Sequence, residues 1–285
     1  MSGLEDARRC FAEELRTSAG ITSDALIAAF ASVPRERFLG PGPWSIRADR
    51  SGPRTTDNDD PRHVYQDVSI AVDAARDLYN GQPGTVAAWI ASLAIQPGDR
   101  VLHIGCATGY YSAIIAALTG PAGAVTAIDV DPALASAAQR ALAAWPWAEA
   151  RQGDGRTGLP SDVDVVLVHA GATHVLDEWA NAIRDSGRLL VPLTCTMPGM
   201  PVSLSKGMIL TATRHGDEWT ARVGSMVMIY ALVGLRDDAM NAQLGKAFMS
   251  GRWASVSRLR RDPHTPDSTC WLHGSTCLAS SASQD

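Results

Sequence analysis

The residues best suited to chemistry lie in and after "VLHIGCATGYYSAIIAALTG", residues 101–120. Gly105 and Gly109 bracket Cys106, Ala107 and Thr108 in a small-residue turn between an apolar run and a helical pattern. Such a turn lets a ligand approach the backbone, and the helix behind it offers free N–H groups. Asp129 closes the next apolar run about twenty residues on, where a carboxylate can accept hydrogen bonds from both hydroxyls of a ribose. Val130 follows it. Asp154 and Gly155, within "QGDGR" at 152–156, close a third run, from which a carboxylate can reach the edge of an adenine. "GDG" alone is a common turn and Asp129 alone could cap a helix, so it is their order that informs.

The three-glycine dinucleotide signature is incomplete here, and a dinucleotide needs the helix N-terminus for its pyrophosphate. S-adenosylmethionine has no phosphate and places its amino-acid end and ribose near such a turn; Ala107 still permits that approach. A nicotinamide-dependent oxidoreductase is the weaker reading.

These residues require elements to hold them. "TVAAWIASLAI" reads as a helix ending at Pro97-Gly98, "RVLHIG" as a strand, and the helix after the turn stops near Gly120-Pro121. "GAVTAIDVD", "AEARQGDG", the almost wholly apolar "VDVVLVHAG" and "RLLVPL" are further strands. "PALASAAQRALAAW" and "VLDEWANAIRDSG" are the intervening helices. Strict βα alternation requires an α/β fold with a mostly parallel central sheet and helices on both faces. "GMILTATRHGDEWTARVGSMVMIYAL" reads instead as an antiparallel edge hairpin turning at 215–217. Two helices precede residues 39–63, a Gly-, Pro- and Asp-rich stretch without apolar period that reads as a long loop. "DDAMNAQLGKAFMSGRWASVSRLRRD" reads as one or two helices, and "STCWLHGSTCLASSASQD" as a short strand or turn and a disordered end. The domain organisation that follows is an N-terminal part (1–80) contributing to an acceptor site, a ligand-binding domain (81–235) and a C-terminal helical extension and tail (236–285).

At 46% hydrophobic and 19% charged residues, the composition is that of a soluble globular enzyme. A net charge of −5 supplies no basic field for nucleic acid or an anionic membrane. No run reaches the roughly 18 apolar residues of a membrane span, and the charged start reads as a helix rather than a signal peptide. Five scattered cysteines suit free thiols in a reducing, cytoplasmic setting. Cys270, His273 and Cys277 are three ligands at a poor zinc spacing, so no metal site is expected. The oligomeric state is left open.

"VLHIGCATGYYSAIIAAL", "VTAIDVDPAL", "GDGRTGLP", "VDVVLVHAGA" and "SGRLLVPL" resemble the successive motifs of S-adenosylmethionine-dependent methyltransferases. "VPRERF" at 33–38, "VYQDVSIAV" at 64–72 and "NGQP" at 80–83 more specifically resemble the protein-L-isoaspartate O-methyltransferases, over roughly residues 5–235. The resemblance implies a Rossmann-like methyltransferase fold with S-adenosylmethionine as cofactor. It implies that Gly105, Cys106, Ala107, Thr108 and Gly109 line the methionine side, Asp129 holds the ribose, Val130 lies against the adenine, and Asp154 and Gly155 bind its edge. It places Gly81, Gln82 and Pro83 where cofactor and acceptor meet. Two positions depart from the family: His103 replaces an acid of the first strand, and Gly81 replaces the Ser or Thr that helps hold the isoaspartyl group.

The expected reaction is methyl transfer to the Asp or isoAsp carboxylate of a peptide or protein. That acceptor is already ionised at neutral pH, so no catalytic acid or base is nominated. A hydroxyl acceptor would need a base, for which His169 or His174 would be candidates. The alternatives are a relative specialised for a biosynthetic peptide or small molecule, and an inactive cofactor-binding regulatory protein.

Overall fold

Chain order begins with helices α1 (Ser2–Ser18) and α2 (Asp24–Ser32), then short strands β1 (Ser45–Arg47), β2 (Arg54–Thr55), β3 (Ser69–Asp73) and β4 (Leu78–Tyr79). The alternating part follows: α3 (Pro83–Ser92), β5 (Arg100–Ile104), α4 (Tyr110–Thr119), β6 (Ala124–Asp129), α5 (Pro132–Ala141), β7 (Ala148–Gln152), β8 (Val163–Val168), α6 (Asp177–Ala182) and β9 (Ile183–Cys195). The long strands β10 (Leu204–His215) and β11 (Glu218–Tyr230) come next, then α7 (Asp238–Met249), β12 (Val256–Arg260), β13 (Cys270–Leu272) and β14 (Cys277–Ser280). This computed structural model describes residues 2–48, 52–196, 199 and 203–281; the expected disordered end at 282–285 lies outside the described residues. The chain divides into two compact units, Met1–Asp99 with Cys106–Gln152, and Arg100–Gly105 with Gly153–Asp285.

In the first unit Ser23 caps α2, accepting the Leu26 N–H at 3.2 Å, and Phe11 of α1 meets Phe30 of α2 edge to face. The antiparallel order β2–β1–β3–β4 makes a small sheet. Part of it falls within 39–63, where a loop was expected: Trp44 and Ile46 are buried and β1 pairs with β2 and β3. Strands of two and three residues are too short for an apolar period to register in sequence. Strands β6 and β7 run parallel, from Val125 opposite Ala148 to Asp129 opposite Gln152. Asp131 caps α5 by accepting the N–H groups of Ala133 and Leu134, with Pro132 in the first turn.

The second unit is ordered β13–β14–β12–β11–β10–β9–β8–β5. β5–β8 and β8–β9 are parallel, and the ladders from β9 outward are antiparallel. All six residues of β8 are buried, which accounts for its apolar run. The helix expected over 175–187 is shorter: α6 ends at Ala182, because Ile183 is extended and enters β9 opposite Val163. Of the expected C-terminal helical extension, α7 is α-helix and the rest of the described residues is not. After α7 the chain adds β12, β14 and β13 to the sheet, with "VSRLR" as strand rather than helix. Its pairing partners, Thr220 on one side and Cys277–Ser280 on the other, are remote in sequence, and local periodicity carries no record of such pairing. Among the described residues no helix is long and apolar enough to cross a membrane.

Candidate functional site

Within the first unit, the turn before α4 is closed by its own backbone: Gly109 N–H donates to the Cys106 carbonyl at 2.9 Å, and Cys106 N–H to Ile128 at 3.1 Å. Ala107 takes φ +48°, and from there its N–H donates to Asp129 Oδ2 at 2.7 Å. Asp131 N–H donates to Oδ1 of the same carboxylate at 3.0 Å. Asp129 is only 8% exposed. Burial pushes its carboxyl above the usual range, and these two backbone donors oppose the shift. A carboxylate so fixed keeps lone pairs for a ligand diol. Val130 beside it is 44% exposed, an apolar surface suited to a flat ring. Thr108 Oγ1 is buried and has no hydrogen-bond partner among the described residues, which fits a site lacking one polar group. Gly109 has φ +90°, and a Cβ there would lie 3.2 Å from the Ala138 Cβ, so α4 and α5 approach through it. Burial raises the Cys106 thiol far above its ordinary value, so it is neutral lining rather than a nucleophile.

The expected acceptor segment lies in the same unit. Gly81 sits at φ +79°, and its carbonyl accepts the Tyr111 hydroxyl of α4 at 3.0 Å. Asp67 fastens the next residues: its carboxylate accepts Gln82 Nε2 at 3.0 Å and the Gly84 N–H at 2.6 Å. Pro83 is buried at the start of α3. Arg35, fully buried, donates to the carbonyls of Val64, Gln66 and Val68 at 2.8, 3.0 and 2.7 Å, and to Asn80 Oδ1 at 3.4 Å. The stretch that carries Asp67 is thereby held at both ends by one side chain. Arg76 pairs with Asp73 and Asp131, keeping both carboxyls below the usual range. Arg35, Asp67, Asn80 and Tyr111 were not among the expected site residues. They stand within or beside motifs quoted above, but residue type alone does not distinguish a buried positioning cation from a solvated one.

In the second unit Gly105 has φ +79°, and a Cβ there would lie 3.3 Å from the His169 carbonyl oxygen. Asp154 is exposed; its Oδ1 accepts the N–H groups of Arg156 and Thr157 at 2.9 and 3.0 Å, which holds its carboxyl below the usual range. Gly155 is buried at φ +74°, where a Cβ would stand 2.7 Å from Ile104 Cγ2, and its carbonyl accepts the Trp179 indole at 2.7 Å. His103 is fully buried and stacks on His169, with ring centroids 5.7 Å apart. Burial drives His103 well below 6.5 and His169 down to about 4. His103 is therefore neutral at pH 7 and carries no charge in place of the acid it replaces. His169, and His174, which burial also lowers, are weak bases.

A sequence model of the protein-L-isoaspartate (D-aspartate) O-methyltransferase family matches residues 7–201. The chain belongs to that family. Among this methyltransferase's relatives, protein-L-isoaspartate O-methyltransferase 1 of Rhodopseudomonas palustris is 32% identical over 202 residues, covering 70% of this chain and 71% of the relative. The protein-L-isoaspartate O-methyltransferase of Methylorubrum populi is 32% identical over 219 residues, covering 75% and 89%. A solved protein-L-isoaspartate O-methyltransferase matches with a TM-score of 0.64 at 21% identity, over 85% of this chain and 69% of that one. A Plasmodium falciparum β-aspartate methyltransferase solved with S-adenosyl-L-homocysteine gives 0.60 at 12% identity, over 79% and 97%. At those identities the likeness is one of fold: a Rossmann-like methyltransferase fold, α/β with a mostly parallel central sheet. The enzyme is an S-adenosylmethionine-dependent methyltransferase.

Proposed function

We propose that this methyltransferase esterifies the side-chain carboxylate of isoaspartyl or aspartyl residues in a peptide or protein, in a cytoplasmic setting. The observation that carries the reading is the Asp129 carboxylate, buried at the end of β6 and held by the N–H groups of Ala107 and Asp131. In this reading Asp129 accepts the ribose hydroxyls, Val130 covers the adenine, Asp154 and Gly155 meet its edge, and Gly105 to Gly109 accommodate the methionine end. When bound, S-adenosylmethionine supplies a methyl group open to in-line displacement by an oxygen nucleophile. The chain's own contribution is alignment and exclusion of water. Asp67 and Tyr111 hold the segment Gly81–Pro83, which carries no ionisable group. That suits an acceptor already ionised well below pH 7.

A second reading rests on Gly81. Its φ of +79° lies in the left-handed region that favours glycine, so the serine or threonine of the family pattern would be strained on this backbone. The family's hydroxyl is absent, and the site is open to a differently presented carboxylate, such as that of a biosynthetic peptide. The test of the reaction class is a pH profile of labelled-methyl transfer to an isoaspartyl peptide at saturating substrates. A rate flat from roughly pH 6 to 9 is expected, with label released as methanol in mild base. A rate climbing tenfold per pH unit through neutrality would point to a base and an acceptor other than a carboxylate.

A further inference from the structure

The turn between β13 and β14 carries an arrangement unrelated to the methyltransferase site. His264, Cys270, His273 and Cys277 each offer one ligand atom, and these four atoms lie within 4.8 Å of one another. Cys270 opens β13, Cys277 opens β14, His273 lies in the turn joining them, and His264 comes from the loop that follows β12. We propose that these four side chains bind a zinc ion, closing the C-terminal edge of the sheet.

Two thiolates and two neutral imidazoles are a donor set that zinc takes in closed structural sites, and the charges of the two thiolates cancel that of the ion. In a tetrahedral site with Zn–S about 2.3 Å and Zn–N about 2.0 Å, ligand atoms stand roughly 3.3–3.8 Å apart. The cluster is thus within about 1.5 Å of bonding geometry. Cys270 Sγ is already 3.5 Å from His264 Nε2.

The surroundings orient the ligands as metal sites require. His264 Nδ1 lies 2.7 Å from the Asp262 carbonyl oxygen, which fixes the proton on that nitrogen and leaves Nε2 as the donor facing Cys270. Asp267 N–H donates to Cys270 Sγ at 3.4 Å, the bond that steadies a thiolate. Arg260 holds both flanking residues through their carboxylates, Asp262 Oδ1 and Oδ2 at 3.1 and 2.8 Å and Asp267 Oδ2 at 2.9 Å. His273 Nδ1 is buried without a hydrogen-bond partner among the described residues, although a buried ring nitrogen costs stability when nothing meets it. A metal ion satisfies it. The fourth ligand also explains why the sequence did not disclose the site: Cys270, His273 and Cys277 alone fall short, and His264 reaches them only because β12 and β14 pair.

Four protein ligands leave zinc no open position, so its task is structural. Strands of three and four residues are too short to hold a sheet edge unaided, and the ion ties them to the loop from β12.

The test is elemental analysis of the untagged full chain, purified under reducing conditions and dialysed against metal-free buffer. About one zinc per chain is expected, and cobalt(II) replacing it should give thiolate charge-transfer and tetrahedral ligand-field bands. Cys277→Ser and His264→Asn should each lower the zinc content at least several-fold, whereas Cys10→Ser, at an exposed thiol outside the cluster, should not. Should the variants fail to fold, the content and cobalt spectrum of the unaltered chain decide alone. Zinc well below one per chain that added zinc does not restore, a cobalt spectrum without thiolate bands, or a Cys270–Cys277 disulfide in the reduced preparation would each overturn the proposal.

Discussion

Asp129 and Asp154 are two carboxylates of opposite environment. The first is buried with a raised pKa, while the second is exposed and lowered by its own turn. Asp129→Ala and Asp154→Ala should each weaken S-adenosylmethionine binding by about 1–3 kcal/mol, the usual cost of an unmatched polar contact, without unfolding the chain. Isothermal calorimetry measures this directly, and unchanged affinity in both variants would remove the site assignment. Gly155 tests backbone instead of charge. Alanine there meets φ +74° and Ile104 at 2.7 Å, so Gly155→Ala should destabilise by about 1–3 kcal/mol in urea unfolding. A midpoint equal to that of the unaltered chain would contradict it. At this scale the glycines and Asp129 were legible because they stand at or just after the end of a strand-like run, where a turn must occur. Arg35 and Asp67 were not, since their partners are the backbone of Val64–Val68 and of Gly84, set by the fold and not by neighbouring residues.

Elements position these residues through a few long-range bonds. The segment before α3 is held to Asp67, and Gly81 to α4 through Tyr111. Asp67→Ala should therefore raise KM for the peptide acceptor by about tenfold, some 1.4 kcal/mol of lost positioning, and leave S-adenosylmethionine affinity nearly unchanged. Paired acceptor kinetics and cofactor titration separate the two, and an equal loss in both would assign Asp67 to the fold at large. The βα alternation from α3 to β9 was readable because burial on both faces imposes apolar runs such as that of β8. The stretch 268–285, read as a short strand or turn, forms the two strands β13 and β14. The end of α6 and the strands β1 and β12 were not legible. Each is short, and each is extended because a distant strand pairs with it, as Val163 does with Ile183 and Ser280 with Val256.

For the molecule as a whole, buried neutral histidines set a pH dependence. His103 and His169 have folded pKa values below the unfolded 6.5, so their contribution to stability is present above about pH 6.5 and lost on acidification, for His169 as pH falls through about 4. Surface carboxylates held low, such as Asp60 and Asp262 at about 2, act only below that window. Asp129, raised by burial, works in the opposite sense. The urea midpoint should fall between about pH 7 and pH 5, and His169→Gln should flatten the decline; a midpoint that rises on acidification would contradict this. Net charge, hydropathy and βα order already fixed the class of molecule, whereas the acceptor depends on the few residues around Gly81. The most direct measurement is transfer of labelled methyl from S-adenosylmethionine to two peptides that differ only in isoaspartate against aspartate. Carboxyl methylation predicts base-labile label, strongest on the isoaspartyl peptide. Label that survives base, or none on either peptide while S-adenosylmethionine still binds, would contradict the assignment.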